Sequence, residues 1–392
     1  MRILFLAPHP FFSERGTPIA ERNLLTVLSE EGHTVDVLTY AEGDDVALPG
    51  VRVHRIAAVP GSSDVRPGLS SKKLVCDAAM LGALFTRFRR ESFDLVHAVE
   101  EAVFLALALR RLRGVPYVYD MDSRLSRQVV DAVPAARVVL GGMRYAEEIA
   151  VGESLAVLAV CRTLELEARD LAPGAFVARL EDASLLAESD GGSDVDSLRS
   201  LTGGGTIALY VGNLEPVQGI DLLLDGFAAA RRARSDLRLV VIGGRQDDIA
   251  RYETRGHELG MGDSVHFAGP RPVADLGAYL AQADILVSPR LSGTNTPMKV
   301  FSYLDSGRAV LATRLPTHTQ VVDDSVAYLV EPDPVALAAG LVRLASDAAL
   351  RARLGSAAHA LVEREFSRKA YRRRVREFYR EVERRVVRER GA

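Results

Sequence analysis

Lys299 lies in the stretch GTNTPMKVFSYLDSG (293–307). Small residues, Gly293 to Thr296, lead through Pro297 into an apolar-periodic segment that stops at Gly307. The pattern predicts a helix entered from a loop with little side-chain bulk. Its first N–H groups have no helical partner and its dipole end is positive, so it attracts an anion. A lysine in that first turn adds a point charge suited to phosphate. Arg290 and Arg245, each just past an apolar run, are further cations for that anion. Gly243-Gly244 ends such a run too, and Gly244 lets a phosphate come close to the backbone.

A second set of chemically capable residues lies earlier. His97 is near the end of DLVHAV (94–99), and Glu100 and Glu101 follow it. Asp120 and Asp122 lie at the end of PYVYDM (116–121) and just beyond. A histidine or carboxylate at such a place can orient or deprotonate a hydroxyl. Asp120-Met121-Asp122 spells DxD, a metal-binding pattern. Two carboxylates without further ligands make a poor metal site, and Asp194-Val195-Asp196 repeats the pattern in a polar stretch. No metal and no cofactor are expected.

The elements that must position these residues alternate regularly. RILFLA (2–7) is a continuous apolar run, as in a strand buried on both faces of a parallel sheet. Further strands are expected over 34–40, 51–56, 94–99, 116–121 and 155–160, with helices over 72–90, 102–114 and 144–154. The pattern restarts at 206–212, then 237–244, 264–269, 285–289 and 309–313. Strands alternating with helices predict parallel α/β sheets, with ligands at the carboxyl edges of the strands. The expected domains are 1–186 and 206–365, joined by a Ser/Asp/Gly-rich linker at 187–205. A basic helix at 366–392 is expected to pack back toward the first domain. Residues 368–390 hold eleven Lys or Arg and four Glu, with Tyr371, Val375, Phe378, Tyr379, Val382 and Val386 at helical spacing.

Composition excludes other classes. The chain has 392 residues, 48% hydrophobic and 26% charged, with a net charge of −3. No nucleic-acid footprint is present at that charge. Two cysteines, Cys76 and Cys161, without a Cys/His cluster fit a reducing compartment and no structural zinc. The first residues read as a strand rather than a leader, and no apolar run of 18 occurs. A cytoplasmic protein is expected. The 72–90 helix has an apolar body and basic ends, Lys72, Lys73, Arg87, Arg89 and Arg90. That pattern supports the expectation of a weak peripheral contact with the inner face of the membrane.

The block 264–315, the stretch YVGNLEPVQGIDLLLDGFAAA (210–230) and the first strand–helix unit together resemble the family 4 (group 1) glycosyltransferases of GT-B architecture. The phrases that carry the likeness are strand-Gly-x-Leu with Gly-Ile-Asp-x-Leu-Leu, Ala-Asp-x-x-x-x-Pro and Gly-x-x-V-x-A-T. The stretch 333–367 looks like the end of that family's second domain. The resemblance implies two Rossmann-like domains facing across a cleft. It implies a retaining, metal-independent transferase, with an activated, nucleotide-linked sugar donor bound by the second domain. A glycan, lipid-linked or small-molecule acceptor would bind the first.

Carried over residue by residue, the resemblance makes Gly16, Gly212, Asn213, Gln218, Gly244, Arg245, Arg290, Thr294, Lys299 and Ser302 donor-side positions. Glu100, Glu101 and Asp120 fall on the acceptor side, and His97, Asp122 and Lys299 take catalytic places. The sequence departs from the family at four of these. Thr294 and Ser302 stand where relatives carry an acidic pair, and Asn213 and Gln218 where they carry Arg and Lys. An atypical donor pocket follows. Two alternatives remain at this level: a non-catalytic scaffold with a degenerate pocket, and a sugar-nucleotide epimerase.

Overall fold

A computed structural model describes residues 1–13, 16–59, 70–89, 91–132, 140–186 and 195–391. The chain divides into two compact units, Met1–Glu181 with Arg372–Ala392, and Asp182–Tyr371. Most of the stretch expected as a linker, 187–194, lies outside the described residues.

The first unit is built on a parallel sheet of seven strands. They are β1 (Arg2–Ala7), β2 (Thr34–Thr39), β3 (Val51–Arg55), β4 (Leu95–Val99), β5 (Tyr117–Met121), β6 (Ala156–Ala159) and β7 (Val177–Arg179). Their order is β3-β2-β1-β4-β5-β6-β7, every pair parallel. β4 is buried along its whole length, which its continuous apolar character requires. The order reverses direction between β1 and β4. The loops leaving those two strands diverge to opposite faces there, so a ligand site opens at their carboxyl ends.

The second unit repeats the device with six strands. They are β8 (Thr206–Val211), β9 (Leu237–Ile242), β10 (Val265–Gly269), β11 (Ile285–Ser288), β12 (Ala309–Thr313) and β13 (Tyr328–Val330). Their order is β10-β9-β8-β11-β12-β13, again all parallel. The reversal falls between β8 and β11. β7 and β13 have no counterpart among the strands expected from sequence. Each is three residues long, too short for a period to declare itself.

The last helix, Arg368–Gly391, begins in the second unit and runs into the first. Its stripe Tyr371, Val375, Phe378, Tyr379, Val382 and Val386 is buried. Phe378 stacks on Phe176 with centroids 6.0 Å apart. Arg376 meets Glu31 at 2.6 Å and Arg390 meets Asp94 at 2.7 Å. The basic surface of this helix is thus partly spent on carboxylates of the first unit.

Candidate active site

In the first unit, the switch point gathers histidines and carboxylates from four elements. His97 in β4 is fully buried. Its Nε2 lies 2.9 Å from Asp120 Oδ2 on β5, and its Nδ1 lies 2.8 Å from the Tyr379 hydroxyl. Phe5 stacks on one face of the imidazole at 4.5 Å. Both ring nitrogens are therefore occupied. Asp120 is partly exposed, and no described residue bonds its second carboxylate oxygen.

Glu100 and Glu101 open a short 3-10 turn directly after β4. Glu100 has φ of +47°, which an L side chain adopts at a cost of about 1–2 kcal/mol. That strain is held by tertiary contacts. Ser123 donates to Glu100 at 3.2 Å, and the Lys73 ammonium sits 2.6 Å from Glu101 and 3.7 Å from Glu100. Burial pushes the Glu101 carboxyl up to about 7, with Lys73 pulling it back. Asp122 is partly buried one residue past β5. Gly16 opens the helix Gly16–Glu30 and is exposed, with open space where a side chain would project.

Glu21 was not legible as a site residue, yet it belongs to this cluster. It is 2% exposed, and its Oε2 lies 2.9 Å from His9 Nε2, while Oε1 has no hydrogen-bond partner. Burial holds its carboxyl well above the usual range, and the Asp120 charge adds to that. The available signal was its position, since Pro18, Glu21, Leu24, Leu25 and Leu28 share the buried face of one helix. A carboxyl on an apolar stripe marks either a fault or a site.

In the second unit, the loops after β8 and β11 meet. Lys299 is the second residue of the helix Met298–Asp305. Its ammonium donates to Gln218 Oε1 at 3.1 Å and sits 3.8 Å from the centroid of the Tyr210 ring. Burial holds the Lys299 pKa well below the ordinary lysine value, and the Arg290 charge lowers it further. Arg290 donates to the Asn295 carbonyl at 3.1 Å, and its Nε has no partner. Among the described residues, neither cation has an ion pair with a carboxylate. Two cations without a carboxylate partner, with the Arg290 charge felt at Lys299, make this end of the sheet chemically suited to an anion.

The glycines around them are required. Gly219 has φ of +75°, and a Cβ there would lie 1.9 Å from the Pro289 carbonyl oxygen. Gly243 abuts the Gly212 backbone and Gly244 the Leu214 side chain, each closer than a Cβ permits. Asn213 is exposed, and its carbonyl accepts from the Tyr210 hydroxyl at 2.5 Å. Thr294 is tied through its carbonyl to Gln320 at 2.9 Å. Ser302 is fully buried and accepts the Leu185 amide at 3.0 Å, so it supports the helix from behind. Arg245 is exposed ahead of the helix Gln246–Glu258. Sequence reasoning also missed His318. It is buried against Ser288 at 2.9 Å with its pKa pushed down to about 4 by burial, and it ties the ends of β11 and β12 together. Among the described residues, no group of three or more His, Cys, Asp or Glu is arranged to hold a metal ion.

This pair of parallel sheets has known counterparts. A family model described as Glycosyl transferases group 1 matches residues 205–347, and one described as Glycosyl transferase 4-like domain matches residues 17–177. The chain belongs to the family 4, group 1 glycosyltransferases. A phosphatidyl-myo-inositol mannosyltransferase of Mycobacterium leprae (strain TN) is 26% identical over 378 residues, covering 93% of this glycosyltransferase and 92% of the relative. The GT-B fold is shared with sucrose-phosphate synthase from Thermosynechococcus elongatus, at a TM-score of 0.77 and 19% identity over 97% of this chain and 98% of that one. Anabaena HepE, solved with UDP-glucose, gives a TM-score of 0.74 at 18% identity over 97% and 99% of the two chains. The glycosyltransferase thus carries its family's fold, with two cations on the β11 side of its second-unit switch point.

Proposed function

We propose that this glycosyltransferase moves a hexose from a nucleoside-diphosphate donor to a hydroxyl of a lipid-linked polyol or glycan, with retention of configuration and without a metal ion. The observation that carries the reading is the Lys299 ammonium, which meets only an amide oxygen and an aromatic ring while Arg290 lies close by. A diphosphate supplies the missing negative charge. Lys299 and Arg290 would supply the positive charge that the family resemblance leads one to expect at Asn213 and Gln218.

In the proposed reaction, the bond between the anomeric carbon and the phosphate oxygen breaks, and its electron pair stays on phosphate. Lys299, Arg290 and the helix N–H groups stabilise that developing charge. The acceptor oxygen bonds to the same face of the carbon, and its proton passes to the departing phosphate. Asp120 accepts a hydrogen bond from an acceptor hydroxyl and orients it. Carboxylates at one strand edge suit a ring bearing several hydroxyls, and the mannosyltransferase relative is named for such an acceptor.

A weak peripheral membrane contact is part of this reading. The helix Ser71–Arg87 exposes Leu74, Val75 and Leu81, with Lys72 and Arg89 exposed at its two ends. Arg90 and the Arg87 side chain lie outside the described residues. No helix among the described residues is long and apolar enough to cross a membrane.

The test is a panel of UDP- and GDP-linked hexoses with phosphatidylinositol vesicles as acceptor, run with and without EDTA. The expected outcome is a glycolipid whose anomeric configuration matches the donor, formed equally in EDTA. Inverted product, or loss in EDTA restored by Mn²⁺, would remove the mechanism. Absence of binding by every sugar nucleotide would remove the donor class.

A further inference from the structure

Residue 379 lies 282 positions after His97, yet its hydroxyl contacts the imidazole of that histidine. Both side chains are buried, and their rings stack with centroids 6.2 Å apart. The contact lies within the first unit, because Arg372–Ala392 belongs to it. We propose that Tyr379 is a positioning residue for the acceptor side, acting through His97 on Asp120.

His97 has two ring nitrogens and, in its neutral form, one proton. A carboxylate only accepts, so Asp120 takes the Nε2–H. The Nδ1 lone pair must then accept, and the Tyr379 hydroxyl donates to it. The phenol thereby selects the imidazole tautomer that grips Asp120. Phe5 stacks on the ring at 4.5 Å and resists its rotation. The charged and titratable groups around His97 are Asp120 from β5, Tyr379 from the last helix and Glu21 from the first helix. Beyond Tyr379 lies His33, with ring centroids 6.1 Å apart.

The consequence is that the last helix of the chain completes a site built on the first sheet. One oxygen of Asp120 is committed to His97 and the other is left for a substrate hydroxyl. A carboxylate held at one oxygen presents the second in a fixed direction, and that direction is what Tyr379 sets. This inference rests on the proposed role of Asp120 toward the acceptor.

The experiment uses the full chain and Tyr379→Phe, which keeps the ring and removes only the hydroxyl. Imidazole ¹⁵N NMR of wild type should show His97 as the Nε2–H tautomer with a hydrogen-bonded Nδ1. In Tyr379→Phe the Nδ1 resonance should move, and the ¹³C resonance of the Asp120 carboxyl should move with it. Transfer from UDP- or GDP-hexose to phosphatidylinositol vesicles should fall about ten- to a hundredfold in kcat/KM for acceptor, with UDP affinity unchanged. That loss should vanish when Asp120→Asn is already present.

A wild-type spectrum showing Nδ1–H overturns the proposal before any variant is made. So does an Asp120 carboxyl resonance that is the same in Tyr379→Phe. If the NMR changes appear but Asp120→Asn transfers at the wild-type rate, the positioning holds and the acceptor role of Asp120 is what fails.

Discussion

The Lys299 ammonium stands 3.8 Å from the centroid of the Tyr210 ring, a cation held by an aromatic face where an acidic partner would be usual. The arrangement leaves the charge available to a ligand. Its pKa lies well below the ordinary lysine value, because burial and Arg290 both disfavour the proton. An anion binds the protonated form, so UDP affinity should fall as pH rises through that depressed pKa. Lys299→Ala should cost about 1–3 kcal/mol of UDP binding and remove this pH slope. Calorimetric titrations across pH check it, and an identical slope in the variant would exclude Lys299 from the phosphate site.

Glu21 gives the opposite sign in stability. Its folded pKa is raised by burial above the unfolded carboxyl value. Its contribution is therefore fully present below the unfolded pKa and is lost as pH rises through the folded one. Glu21→Gln mimics the protonated form and titrates nowhere. The Tm of the variant minus that of wild type should grow steadily as pH is raised. A difference that does not vary with pH would mean that Glu21 ionises normally.

Gly219 carries the turn that brings Gln218 to Lys299. Alanine there faces a left-handed backbone and the Pro289 carbonyl at once. Gly219→Ala should destabilise the protein by about 1–3 kcal/mol and weaken UDP binding as the loop shifts. Denaturant unfolding measures the first effect and titration the second. A variant as stable as wild type would show that the turn tolerates a different path.

The proposed membrane contact uses the face of the helix Ser71–Arg87 bearing Leu74, which is 58% exposed, with Val75 and Leu81. Each basic residue near an anionic surface adds about 1 kcal/mol, and salt screens it. Wild type should co-sediment with anionic liposomes at low salt and release at high salt. Leu74→Ser with Leu81→Ser should weaken binding at both. Wild type remaining in the supernatant at low salt would direct the search to acceptors free in solution.

Much of the architecture was legible because parallel strands announce themselves locally. Runs such as RILFLA and TIALYV are apolar after their first residue since helices cover both faces of each sheet. The tail stripe from Tyr371 to Val386 was equally plain, because its period is a property of one helix. Lys299 could be placed on a helix start from the small residues before it. Short segments gave no such signal, and β7 and β13 emerge only where a neighbouring strand supplies their hydrogen bonds.

Strand ends and helix starts depend on neighbours a few positions away, so a linear pattern carries them. The partners of those residues follow from the packing of distant segments. His97 reads as a free base in sequence, and becomes an inward-facing link once Tyr379 and Asp120 fill its nitrogens. Ser302 stands at a ligand position in sequence, and is turned to the Leu185 amide in the fold. Glu21 and His9 are 12 residues apart, and they matter because burial removes the water that would otherwise ionise the carboxyl. Desolvation and hydrogen-bond saturation are sums over everything packed around a group, and a linear pattern carries no record of that sum.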